Sequence, residues 1–208
     1  ETLGQFADAK NFGSLIVPKL RDPAEALRVV EARDFGSDLL LKEVQERVMA
    51  VLRMAEALSP KYHVVVANPP YMGGKGMNKT LSSWLKKNYF DSKSDLMTCF
   101  MDRAGQLCRR GGFWGMINLP AWLFLSSFEE MRGSLIKQNT ISSLIHLGRG
   151  IFGSDFGSVA FTIQNKISDS KFKGVYRRLF EKHVNVRTPD VIEGIFLQSD
   201  YGLYRAST

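Results

Sequence analysis

Val64-Val65-Val66-Ala67-Asn68-Pro69-Pro70-Tyr71 limits what this chain can fold into more than any other stretch. Three β-branched residues and an Ala form a short apolar run, which predicts a buried strand. The run stops on two prolines. Neither ring nitrogen can donate to a sheet ladder, and Pro69 biases Asn68 toward extended backbone, so the chain leaves the sheet here. A side-chain amide, stiff backbone carbonyls and an aromatic ring are left at the strand's C-terminal end. In an open α/β sheet that end is where ligands bind.

The surrounding pattern supports such a sheet. Asp22-Pro23-Ala24-Glu25 reads as a helix start, with Asp as N-cap and Pro at the first helical position. Asp38 opens a longer helix with Leu41, Val44, Val48, Val51, Leu52, Ala55 and Leu58 on one stripe, ended by Ser59-Pro60. Ser94 is expected to cap a helix whose apolar face runs from Leu96 to Cys108. Arg109 and Arg110 would suit its C-terminal dipole, and Gly111-Gly112 would stop it. Phe113 to Leu119 reads as a strand, residues 127–138 as a helix, and Ile141 to Leu147 and Ser158 to Ile163 as strands. This alternation predicts a parallel α/β sheet closed by a late antiparallel hairpin. Residues 1–20 predict a short helix followed by a strand-like stretch.

Two motifs are excluded. Gly148-Arg149-Gly150-Ile151-Phe152-Gly153 matches dinucleotide-fingerprint spacing, but a strand follows where the fingerprint needs a helix. Gly73-Gly74-Lys75-Gly76 lacks the Gly-Lys-Ser/Thr ending of a phosphate-binding loop. The three histidines are scattered, and no Cys/His spacing suggests a metal. Cys99 and Cys108 fall in one predicted helix on nearly opposite faces and cannot bridge, so reduced thiols and a cytoplasmic setting are expected. No apolar run approaches 18 residues, which predicts no membrane partner. A net charge of +7 favours a polyanionic partner without naming one.

The corner suits one chemistry. The Asn68 amide oxygen and the Pro69 carbonyl are two acceptors able to grip both hydrogens of a planar amino group. Pro70 stiffens the turn, and Tyr71 stacks on the ring that bears the amine. Accepting both hydrogens favours a pyramidal nitrogen whose lone pair can attack a methyl group, by positioning and electrostatics alone. The alternative is a Pro-Pro loop after an ordinary core strand. Downstream, Lys75, Lys79, Lys86 and Lys87 interleave with Trp84, Tyr89 and Phe90. This suits contact with a phosphate backbone; a solvated loop with a short helix is the other reading.

Asn68-Pro69-Pro70-Tyr71 resembles the catalytic tetrapeptide of S-adenosylmethionine-dependent amino-group methyltransferases. Residues 7–16 and Gly148 to Asn165 extend the resemblance to N6-adenine-specific DNA methyltransferases. The likeness is to the PglX-type enzymes of BREX phage defence and related single-chain restriction-modification proteins, over roughly residues 1–168. It implies a partial Rossmann-like S-adenosylmethionine-dependent methyltransferase sheet, methyl transfer to a flipped adenine in double-stranded DNA, and other defence-system proteins as partners. It also implies that Phe152 stacks on the adenine opposite Tyr71, with Phe156 the second candidate. Residues 169–208 would connect to a DNA-reading region.

One departure stands out. The family's glycine-rich cofactor turn has no counterpart before residue 60, and the chain opens on Glu1. Residues 1–168 are therefore read as the catalytic half of a methyltransferase domain, with its main cofactor motif upstream, inactive alone. An RNA base or a protein glutamine amide would suit the same corner, and a non-catalytic binding module is the remaining rival.

Overall fold

The computed structural model describes residues 1–153, 155–168, 171–182, 185–198, 200 and 202–206. They fall into two compact units, Glu1–Lys61 and Tyr62–Thr208.

In the first unit, α1 (Thr2–Gln5) and α2 (Ala9–Phe12) are single turns, followed by α3 (Pro23–Glu31) and α4 (Leu39–Leu58). The cap expected at Asp22 forms, and Asp38, read as the start of the longer helix, caps α4. The Asp22 carboxylate accepts from Glu25 N at 2.9 Å and that of Asp38 from Leu41 N at 3.0 Å, each satisfying an orphan donor for about 1 kcal/mol. Gln45 on α4 donates to Val30 O and Arg33 O, at 2.7 and 2.8 Å, closing the C-terminal end of α3. On the α4 stripe, Leu52 and Ala55 are buried while Leu41 and Val44 are exposed. The strand expected before residue 20 does not form. The Gln5 carboxamide takes a strand partner's place, donating to Val17 O and accepting from Lys19 N.

The second unit is built on β1 (Tyr62–Ala67), α5 (Lys79–Asn88), α6 (Leu96–Leu107) and β2 (Cys108–Asn118). It continues through α7 (Ala121–Phe124), α8 (Glu129–Gln138), β3 (Thr140–Arg149), β4 (Gly157–Gln164), β5 (Gly174–Arg178), α9 (Pro189–Leu197) and β6 (Leu203–Ala206). The strands form one six-stranded sheet in the order β1-β2-β4-β3-β5-β6. β1 pairs parallel with β2 and β3 parallel with β5, while β4 runs antiparallel to β2 and β3. The sheet is thus α/β but mixed rather than parallel. The β3–β4 hairpin forms as expected, yet it lies mid-sheet, because β5 and the antiparallel β6 extend the far side. β1, β2, β3 and β5 share one direction, so Ala67, Asn118, Arg149 and Arg178 end on the same edge.

One face of this sheet carries the core. Trp114, Met116, Val159, Phe161 and Ile163 pack with Met97 and Met101 of α6, Trp122 of α7 and Met131 and Leu135 of α8. The other face is open, with a cavity of about 610 Å³ lined by Val64, Val66, Phe113, Ile145, Ala160 and Thr162 among others. Val64 is 61% and Val66 78% exposed, which corrects the reading of β1 as a buried strand. β1 is an edge strand whose first three residues are exposed, and from Val64 to Ala67 exposed and half-buried residues alternate.

The ends of α6 also differ from expectation. Asp95, not Ser94, is the N-cap, accepting from Met97 N at 3.0 Å. The helix stops at Leu107, and Arg109, Arg110, Gly111 and Gly112 belong to β2. The Asn165 amide ties the junction together, reaching Gly105 O in the last turn of α6 and Cys108 O and Arg109 O at the start of β2. Gly112 serves close approach instead, since a Cβ there would sit 2.7 Å from His63 O. Cys99 and Cys108 are both unbridged and buried, and Cys108 lies on β2. Burial pushes the Cys99 thiol up to about 12, which leaves it unreactive.

Candidate active site

β1 delivers the Pro-Pro corner to the edge where the parallel strands end. Pro69 is buried against the unit, Asn68 and Pro70 are exposed, and Tyr71 is half-buried. Pro69 anchors the turn, and the Asn68 carboxamide faces out from a fixed backbone. The Tyr71 hydroxyl lies 3.0 Å from Asn68 Oδ1 and 3.2 Å from Ile117 O, so its one proton is shared between the amide and the last turn of β2. Burial raises the Tyr71 pKa, which keeps the hydroxyl protonated and donating. A carboxamide oxygen has two lone pairs. One faces Tyr71, leaving the other for an incoming donor.

Tyr71 therefore has two roles where the sequence suggested one. Its ring forms a platform, and its hydroxyl holds the neighbouring amide. The aromatic that meets this ring is Phe156, edge-on with centroids 5.8 Å apart and planes at 85°. Phe152 lies earlier in the same β3–β4 turn and is 47% exposed. Arg149 anchors that turn, bonding to the Asp155 carbonyl and pairing with its carboxylate. Of the two stacking candidates, Phe156 is the one in ring contact with Tyr71.

Beneath the corner, Asn118 ends β2 fully buried. Its Oδ1 accepts from Trp122 Nε1 at 3.0 Å and its amide donates to Met101 Sδ at 3.4 Å. The network fixes the strand end whose Ile117 carbonyl receives Tyr71. Sequence reasoning missed Asn118, which sat inside an apolar run ahead of Pro120.

The lysines lie on more regular structure than a loop. Lys75 occupies a one-turn 3₁₀ helix, Gly74–Gly76, and Lys79 opens α5 behind an Asn78 cap. Lys86 and Lys87 occupy its last turn, where the helix dipole favours cations. All four are exposed. Leu81 and Leu85 bury the opposite face of α5, and Trp84 packs on Tyr89.

Among the described residues no strand, glycine-rich turn and helix occur in succession, and the glycines after Tyr71 lead into a 3₁₀ turn. What the chain presents is an exposed carboxamide beside a Pro-Pro turn at the end of an edge strand. The described residues include no His, Cys, Asp or Glu cluster able to hold a metal ion, and no helix long and apolar enough to cross a membrane.

Comparison with known proteins places the chain in a family. Residues 25–152 match the family model described as Eco57I restriction-modification methylase. The chain is 39% identical over 188 residues to the adenine-specific methyltransferase BrxX of Escherichia coli O9:H4 (strain HS), covering 88% of this chain and 15% of that protein. It is 34% identical over 192 residues to the adenine-specific methyltransferase PglX of Lacticaseibacillus casei (strain Zhang), covering 87% and 16%. It thus spans less than a fifth of the length of these curated relatives. Among solved structures, a nuclease-deletion mutant of the Type ISP restriction-modification enzyme LlaGI, in complex with a DNA substrate mimic, shares the fold. The TM-score is 0.52 at 17% identity, over 86% of this chain and 20% of that one. The chain belongs to the Eco57I restriction-modification methylase family.

Proposed function

We propose that the protein carrying this chain transfers a methyl group from S-adenosylmethionine to N6 of an adenine in double-stranded DNA. The observation that carries this reading is the corner itself, an exposed Asn68 carboxamide on a rigid Pro-Pro turn, held by the Tyr71 hydroxyl at 3.0 Å. The adenine is flipped out of the duplex to reach it, because N6 inside the stack is not accessible. Asn68 Oδ1 and the Pro69 carbonyl accept the two amino hydrogens, and Pro70 keeps their spacing. Tyr71 lies on one face of the purine, with Phe152 across from it and Phe156 supporting the Tyr71 ring from the side. The grip directs the N6 lone pair outward, and after transfer the extra proton leaves N6 for water. S-adenosylmethionine, when bound, supplies the electrophilic methyl. Its binding turn is assigned to a segment outside residues 1–168, which form the catalytic half. Residues 169–208 lead toward the DNA-reading region. The setting is the cytoplasm, with other defence-system proteins as further partners.

The test supplies methyl-labelled S-adenosylmethionine and unmodified duplex DNA to the full-length protein, then identifies the labelled nucleoside. Label in N6-methyladenine is expected. Label confined to RNA or to protein glutamine would overturn the substrate while keeping the corner's chemistry, and no label anywhere would favour a binding module.

Lys86 and Lys87 are assigned to the phosphate backbone. Changing both to Ala is expected to weaken binding to all duplexes alike. The slope of log K against log salt should become shallower by about 2, one for each lost phosphate contact. A salt-titrated binding assay reads this directly, and an unchanged slope would remove both residues from the interface.

A further inference from the structure

We propose that Asp95 is the positioning residue that holds the Asn68–Tyr71 corner in register, a role that rests on the methyl-transfer reading above. Asp95 is only 9% exposed. Its Oδ1 accepts two backbone N–H groups at once, from Met97 at 3.0 Å and from Met72 at 3.2 Å. The first bond caps α6. The second takes hold of the chain at the residue directly after Tyr71. Two further contacts close the clamp: Leu96 N donates to Met72 O at 2.9 Å, and Gly73 and Asp95 form an antiparallel bridge.

The consequence follows from the stiffness of each part. α6 buries Met97, Cys99, Met101 and Ala104 and is fixed in the core. The corner has a rigid entrance, because Pro69 is buried and β1 pairs with β2. Its exit is different, since Gly73, Gly74 and Gly76 follow at once and glycine backbone is easily redirected. The pairing of Met72 and Gly73 with the start of α6 stands between Tyr71 and that glycine-rich run. A carboxylate suits the task, being an acceptor-only group whose oxygen can receive both donors and whose charge faces the positive end of a helix. Asp95 touches neither substrate nor the reacting nitrogen. It sets the position of Tyr71, and through the Tyr71 hydroxyl that of the Asn68 amide.

Asp95→Ser separates its two roles. A serine hydroxyl remains a good N-cap for α6 but is too short to reach Met72 as well. In the full-length protein, amide exchange at Met72 is expected to speed up at least about tenfold, with α6 protection and the melting temperature nearly unchanged. The turnover number should fall about tenfold with little change in DNA affinity, the mark of a misplaced catalytic group rather than a lost binding contact. Asp95→Asn keeps an acceptor oxygen at the same reach and should restore most of the turnover. Unchanged exchange at Met72 in Asp95→Ser, or unchanged turnover, would overturn the proposal, as would Asp95→Asn behaving like Asp95→Ser. The exchange measurement needs no activity, so a wild-type protein that labels no DNA would sink the methyl-transfer reading and leave the clamp to be judged by exchange.

Discussion

Asn68→Ala in the full-length protein is expected to lower methyl transfer by about 10²–10³-fold, the range for removing one preorganised group aimed at developing charge. Affinity for duplex DNA should stay within a few-fold, because Asn68 meets one amino group and no phosphate. The alanine also releases the Tyr71 hydroxyl, which keeps only Ile117 O as acceptor. Asn68→Asp is the informative companion. It keeps an oxygen in place but adds a negative charge beside a methyl donor and a purine ring, so partial activity is expected. Single-turnover transfer with labelled S-adenosylmethionine, run beside a DNA-binding titration, separates the two effects. Wild-type transfer by Asn68→Ala would remove the corner from the chemistry altogether.

Trp122→Ala carries the largest expected loss of stability. The ring is 2% exposed and packs against Phe161 with centroids 5.3 Å apart. Truncating a buried aromatic of this kind costs about 3–5 kcal/mol through lost transfer free energy and the cavity left behind. The same change orphans Asn118 Oδ1, which is fully buried and would have no donor, adding about 1–3 kcal/mol. Trp122→Phe isolates the second term, because it restores most of the ring and withholds the N–H. Urea denaturation should place the alanine variant well below the phenylalanine variant, with both below wild type. A loss under about 1 kcal/mol for Trp122→Ala would show that this core can close around the gap.

The parts of the fold legible in the sequence were those written in local signals. Asp22 and Asp38 announce α3 and α4 because an N-cap acts within three residues of itself. The Pro-Pro corner is legible for the same reason: proline's limits on backbone do not depend on partners. The errors came from long-range pairing. Gly111 and Gly112 resemble a helix stop, but they lie inside a strand, where Gly111 takes a φ of 77° and Gly112 leaves room for His63 O of β1 and for Cys108 Sγ. The exposed face of β1 could not be seen in its Val run, since identical residues serve a strand covered on one side or on both. At the site, Tyr71 was visible as a ring, while its hydroxyl's link to Ile117 depends on β2 lying alongside. Asp95 was overlooked because Ser94, one position earlier, is an equally good cap by composition.

The bonds made by Asn165 carry a consequence for the order in which the chain folds. Its amide joins carbonyls that precede it by 56 to 60 residues, and its backbone pairs with Gly111 and Gly112. The Gly105 carbonyl in the last turn of α6 therefore lacks this donor until residue 165 has been synthesised and β4 has docked between β2 and β3. During translation the bond must wait while the whole β2–α8–β3 stretch emerges. Closing so long a loop is slow relative to forming a helix. The edge that carries the Pro-Pro corner and the end of α6 should then mature in one late step, when the hairpin inserts.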